Sequence, residues 1–252
     1  MDALQLLILA VLGLLGGMLS GLVGVGGGSV FVPALVYVGG WQIKDAVAAS
    51  LVIIVFSSLS GTVRNARSEN PVNWRTAALL SSTVAPSSLI GVAVSRVSPQ
   101  TVVEVAFAVL LLTLAYPTFS GGPEYRGNKR IPLPLILLAG VGIGTLGGLV
   151  GIGGTVVLVP LMILGWGLQT KTAISTSLAV VLFTGIIGAA GYIATGFEDL
   201  LSLPPLIVGS MLGAWLGVRL RDLTPEVVIQ RGFAIFMVVV ALRILADAAG
   251  IF

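Results

Sequence analysis

Two glycine clusters hold the residues of this sequence best placed to do chemistry: Gly24, Gly26, Gly27 and Gly28 followed by Ser29, and Gly151, Gly153 and Gly154 followed by Thr155. Glycine reaches backbone angles closed to other residues and lets a ligand approach the main chain. A helix that begins just after such a cluster aims its unpaired first-turn N–H groups, and the positive end of its dipole, at the break. Such an end attracts anions. The competing reading is close packing, since small residues let helices approach in a membrane, and Gly209, Gly213 and Gly217 at four-residue spacing fit that reading. The paired clusters differ from that triplet because proline follows each, at Pro33 and Pro160, and because the whole arrangement recurs. Recurring discontinuous segments point to a transporter binding site near the membrane midplane. A nucleotide-binding loop is rejected, since the GxxxxGK[ST] lysine is absent and no strand precedes either cluster.

Hydroxyls on the following segment, Ser50, Ser57 and Ser58 with Ser177 and Thr184 as their repeat mates, recur at helical spacing. They either line the same cavity or bond back to the preceding turn's carbonyl, as Ser and Thr often do in membrane helices, and the sequence leaves both readings open. There is no cysteine and no histidine. Thiol nucleophiles, imidazole bases and the usual zinc or haem ligands are therefore missing, and no enzyme, metal site, cofactor or catalytic residue is expected. Within the apolar segments the ionisable residues are Glu104, Arg231 and Arg243, so proton coupling has no obvious carrier and the candidate site no fixed cation. Lys44 and Lys171, each two residues after a glutamine, serve as electrostatic guides at the two mouths or as interfacial anchors.

The elements that must carry these residues follow from composition. Of 252 residues 56% are hydrophobic and 9% charged, against roughly 25% charged in soluble domains. The apolar residues come in runs of about 20, enough for a helix to cross the hydrocarbon, and nothing alternates as a barrel strand does. The net charge of +3 reads as loop topology and not as nucleic-acid binding. The N-terminal run has no basic n-region or cleavage site and reads as a retained first helix.

Residues 21–61 align without a gap to residues 148–188, with 17 of 41 pairs identical. GLVGVGGGSVFVP (Gly21 to Pro33) returns as GLVGIGGTVVLVP (Gly148 to Pro160). The chain therefore divides into a first repeat (1–118), a linker (119–134) and a second repeat (135–252). Each half has five apolar pieces, in the first about 3–23, 29–38, 44–63, 76–95 and 101–118. The second piece is too short to span, so with the first it forms a glycine-broken helix or a helical hairpin, and about three full spans follow. Inverted insertion places ten Lys and Arg residues inside against three outside, whereas parallel insertion gives seven against six. The positive-inside bias favours inverted repeats, with Asn70 inside and Glu198 outside. The fold expected is an all-α polytopic membrane protein of two homologous halves.

The paired motifs, the AVAASL and AISTSL stretches after them, and NPVNWRTA at residues 70–77 closely resemble the TauE/SafE sulfite exporter family, over nearly the whole chain. Where that family ordinarily has an acidic residue before the tryptophan, this sequence has Asn73. The resemblance implies a bacterial or archaeal cytoplasmic-membrane protein that moves sulfite, sulfoacetate or related organosulfonates, with about eight spans. The expectation is a secondary transporter, exporting a small sulfur-containing anion, with Gly24, Gly26, Gly27, Gly28, Ser29, Ser50, Ser57, Gly151, Gly153, Gly154, Thr155, Ser177 and Thr184 at its site. An anion channel is the near alternative, and a non-transporting structural subunit the distant one. Expected partners are the anion, the lipid bilayer and a second copy through glycine-rich helix faces.

Overall fold

The computed structural model describes all residues except 1–2, 25, 67, 69, 121–131, 154, 198, 222, 224 and 249–252. In hydrocarbon every backbone polar group must be paired within the chain, and runs of about 20 apolar residues do this by coiling into helices. Among the described residues the regular elements are all helices. In the first half they are α1 (Ala3–Val23), α2 (Gly28–Tyr37), α3 (Ile43–Asn65), α4 (Trp74–Val97) and α5 (Gln100–Phe119). Their mates in the second half are α6 (Leu133–Val150), α7 (Thr155–Trp166), α8 (Thr170–Ala194), α9 (Pro204–Arg221) and α10 (Glu226–Ala248). The five apolar pieces of the first half thus become five helices. By length and composition α3, α4, α6 and α8 are each able to cross a membrane.

The first two pieces form a hairpin and not a kinked helix. After the glycine turn α2 runs back along α1: the Phe31 ring sits where a Cβ on Gly16 would fall, and Leu35 and Val38 share a cavity with Ile8 and Leu9. In the second half Gly165, near the end of α7, lies against Ile136 at the start of α6.

Each hairpin is held by the opposite half. α1 packs on α9, and their mates α6 and α4 pack likewise. Gly13, Gly17 and Gly21 meet the α9 backbone at Leu206, Ser210 and Ala214, while Gly209, Gly213 and Gly217 meet the α1 backbone near Ala10, Leu14 and Met18. Numbers rise together along both helices, so the pair is parallel. A side chain at any of these glycines would fall on a main-chain atom of the neighbour, which is why small residues recur at this spacing. The glycine-rich face of α9, expected from sequence to serve packing, is used inside the chain.

α3 and α8 form the centre. Gly61 lies beside Leu178, whereas Gly188 lies beside Leu51 and Gly185 beside Val55, so these two repeat mates run antiparallel. Both helices are buried over most of their length. α5 and α10 pack on each other outside this core. At the end of the bundle where α3 begins, Lys44 donates to the Arg96 and Ser98 carbonyls at the close of α4, which is the anchoring role.

Candidate functional site

The two glycine turns meet. A Cβ on Gly28 would collide with the Gly151 carbonyl and with Ile152 Cα, and positions 26 and 153 both face Ile54 and Val181, themselves repeat mates on α3 and α8. Gly24 and Gly151 hold φ of 76° and 75°, ending α1 and α6 in the left-handed region that other residues avoid. Gly26, Gly27 and Gly153 also have positive φ, so each chain reverses within a few residues. Gly154 lies outside the described residues, as does the side chain of Thr155.

Ser50 and Ser177 bind these turns crosswise. Ser50 Oγ lies 2.8 Å from the Gly151 carbonyl and 2.7 Å from the Val47 carbonyl. Ser177 Oγ lies 3.0 Å from the Gly24 carbonyl and 2.8 Å from the Ile174 carbonyl. A hydroxyl has one hydrogen, which here is shared between the preceding turn and the opposite half's glycine. Both serines are fully buried, so in this arrangement they position the turns and have no hydrogen left for a ligand. Ser57 reaches the Ile54 carbonyl at 3.2 Å and the Gly26 carbonyl at 3.4 Å, and Thr184 donates to Val180 at 2.9 Å. Ser29 differs. Its hydroxyl, in the first turn of α2, is fully buried and has no hydrogen-bond partner. The Val30 and Phe31 amides close on the Gly27 carbonyl at 2.9 Å, so of the first turn the Gly28 and Ser29 amides, which precede any i−4 partner in their own helix, join the Ser29 hydroxyl as a donor group beside the turn.

One buried cation was not singled out in the sequence. Arg221, at the end of α9, is 3% exposed; its guanidinium donates to Asn65 Oδ1 at 3.1 Å and lies 3.4 Å from Ser175 Oγ. Because Gly21 abuts Gly217 and Val218, Arg221 lies one helical turn further along α9, level with the end of α1. A sequence signal existed, since Arg221 continues the four-residue spacing of Gly213 and Gly217, the face that α9 buries. Asn73, the residue that departs from the family pattern, caps α4 by accepting from the Thr76 amide at 3.1 Å, and its own amide donates to Thr176 Oγ1. At the other end of the bundle Trp41, Asp45, Gly196, Phe197 and Asp199 line a cleft of about 360 Å³.

The sequence pattern of the sulfite exporter TauE/SafE family matches residues 9–244. The chain belongs to this family. It is 28% identical over 244 residues to a probable membrane transporter protein, YunE, of Bacillus subtilis, covering 86% of this chain and 89% of that protein. A probable membrane transporter protein of Methanocaldococcus jannaschii, MJ0441, is 28% identical over 83% of this chain and 85% of its own length. Sulfite exporter TauE/SafE family protein 3 of Arabidopsis thaliana is 30% identical over half of this chain and 28% of its own length. No solved structure matches. This TauE/SafE protein is accordingly a multi-pass membrane protein of a transporter family, and both of its glycine turns lie within the matched region.

Proposed function

We propose that this chain is a secondary transporter that carries a small sulfur-containing oxyanion, such as sulfite or a sulfonate, outward across the cytoplasmic membrane. The observation that carries the reading is the meeting of two left-handed glycine turns in the buried centre, with the opening amides of α2 at Gly28 and Ser29 and the unpartnered Ser29 hydroxyl beside them. Irregular backbone at that depth is tolerated only inside protein or beside a polar cavity. Donors of this kind suit a compact anion with several acceptor oxygens, each charge-assisted contact contributing roughly 1.5 to 3 kcal/mol. Chloride offers no comparable set of directed acceptors. The sulfur chemistry rests on family membership.

The reading includes halves inserted in opposite orientations, supported by the antiparallel run of the repeat mates α3 and α8. The end of the bundle with Arg64, Arg75, Lys171, Arg219, Arg221 and Arg231 is then cytoplasmic under the positive-inside bias. Outward movement follows from the membrane potential, which drives an anion out of a negative interior with about 2.3 kcal/mol per charge per 100 mV. The carboxylates of Asp45 and Asp199 in the outer cleft favour release over rebinding.

Counterflow tests the assignment. Proteoliposomes loaded with unlabelled sulfite should take up labelled sulfite several-fold faster than unloaded ones, with chloride a poor competitor. Absent flux would refute transport of this anion, and flux indifferent to internal sulfite would favour a channel.

A further inference from the structure

On α3, Ser58, Thr62 and Asn65 recur at spacings of four and three and so share one helical face. They are 0%, 4% and 0% exposed. Each carries a buried polar atom without a hydrogen-bond partner: the two hydroxyls, and Asn65 Nδ2. The orientation of the Asn65 amide is fixed, because Oδ1 accepts from Arg221, leaving Nδ2 as the donor end. Unpaired buried polar groups cost about 1 to 3 kcal/mol each, so three in one line of a helix require a use. The second half shows what the same positions look like when closed. Their repeat mates on α8 are Gly185, Ala189 and Tyr192, and the Tyr192 hydroxyl is already spent on the Gly148 carbonyl at 3.1 Å. The polar line therefore belongs to one half only. It begins beside Arg221 and Ser175 and ends one turn from Ile54, where the glycine turns meet.

We propose that Asn65, Thr62 and Ser58 form the inner half of the translocation path, a ladder of donors that passes an oxyanion between the Arg221 mouth and the glycine turns. The proposal rests on the transport reading above and adds its route and its asymmetry. In this conformation the ladder is shut, so it opens to the cytoplasmic face in the inward-facing state. An oxyanion entering it supplies acceptor oxygens to the groups that lack them, while Arg221 supplies positive charge at the threshold. The equivalent face of α8 is filled by small residues and a tyrosine, and the outer half of the path must use other groups.

Since the sequence contains no cysteine, single cysteines report access without background. In inside-out vesicles Thr62→Cys should react with an anionic methanethiosulfonate at least ten-fold faster than Ala189→Cys, and sulfoacetate should slow that reaction at least three-fold. Equal rates at the two positions, or no protection, would overturn the ladder. A second arm uses Thr62→Val, which removes the unpartnered hydroxyl at nearly constant shape. It should raise the melting temperature and yet lower the initial rate of sulfite flux at least three-fold. Greater stability with unchanged flux would reduce the hydroxyl to a packing defect and overturn its role. The labelling needs no flux assay, so protected labelling without sulfite flux would keep the ladder and refute the transport of sulfite.

Discussion

A serine hydroxyl has one hydrogen, and Ser50 and Ser177 each direct it at main-chain carbonyls, including the glycine that ends the opposite half's first helix. Removing it leaves a buried carbonyl unpaired. Ser50→Ala and Ser177→Ala should therefore each destabilise the protein by about 1 kcal/mol, lowering the melting temperature in detergent, while sulfite affinity by calorimetry shifts less than about two-fold. A ten-fold loss of affinity with unchanged melting would return both hydroxyls to the ligand. The sequence offered both roles for these residues, and only the partner across the two halves separates them, because spacing along one helix says nothing about a carbonyl 101 residues away. Arg221 shows the converse. Its neighbour Arg219 is exposed, and a count of charges by loop treats the two alike, whereas the phase set by Gly213 and Gly217 distinguishes them.

At the scale of elements, the hairpins owe their position to α9 and α4. The glycines of α1 and α9 meet each other's backbone in register, so a branched side chain at Gly213 would have to displace the carbonyl of Leu14 and the amide of Met18. Gly213→Val should cost at least the roughly 1 to 3 kcal/mol of an overpacked core, seen as lost folded yield and a lower melting temperature. Gly142 on α6 meets nothing within 4 Å. Gly142→Ala should leave stability unchanged or raise it by up to about 1 kcal/mol, as alanine favours the helix. A comparable loss at Gly142 would mean that contact with a neighbouring backbone does not account for the cost at Gly213. The helices themselves were legible: hydropathy located five pieces per half because lipid imposes a minimum length on each span. Whether the first two formed a kinked helix or a hairpin was not legible, since glycine permits both and only the Phe31 ring against Gly16 decides.

Over the whole molecule, one sequence motif used twice brings two glycine turns together in the buried centre. Charge counting favoured inversion by ten against three, and the antiparallel run of α3 and α8 agrees with it through an independent observation. The repeat was legible as 17 identities in 41 positions; the exchange of hairpins between halves was not, because no residue type encodes which copy a helix will meet. Everything proposed about function depends on the two turns entering from opposite faces. Glu198 lies outside the described residues, but its neighbour Asp199 is exposed in the connection between α8 and α9, and Asn70 lies partly exposed between α3 and α4. In right-side-out vesicles Asp199→Cys should react with a membrane-impermeant maleimide, and Asn70→Cys should react only after the membrane is opened. Labelling of both residues from the same side would contradict the inverted architecture.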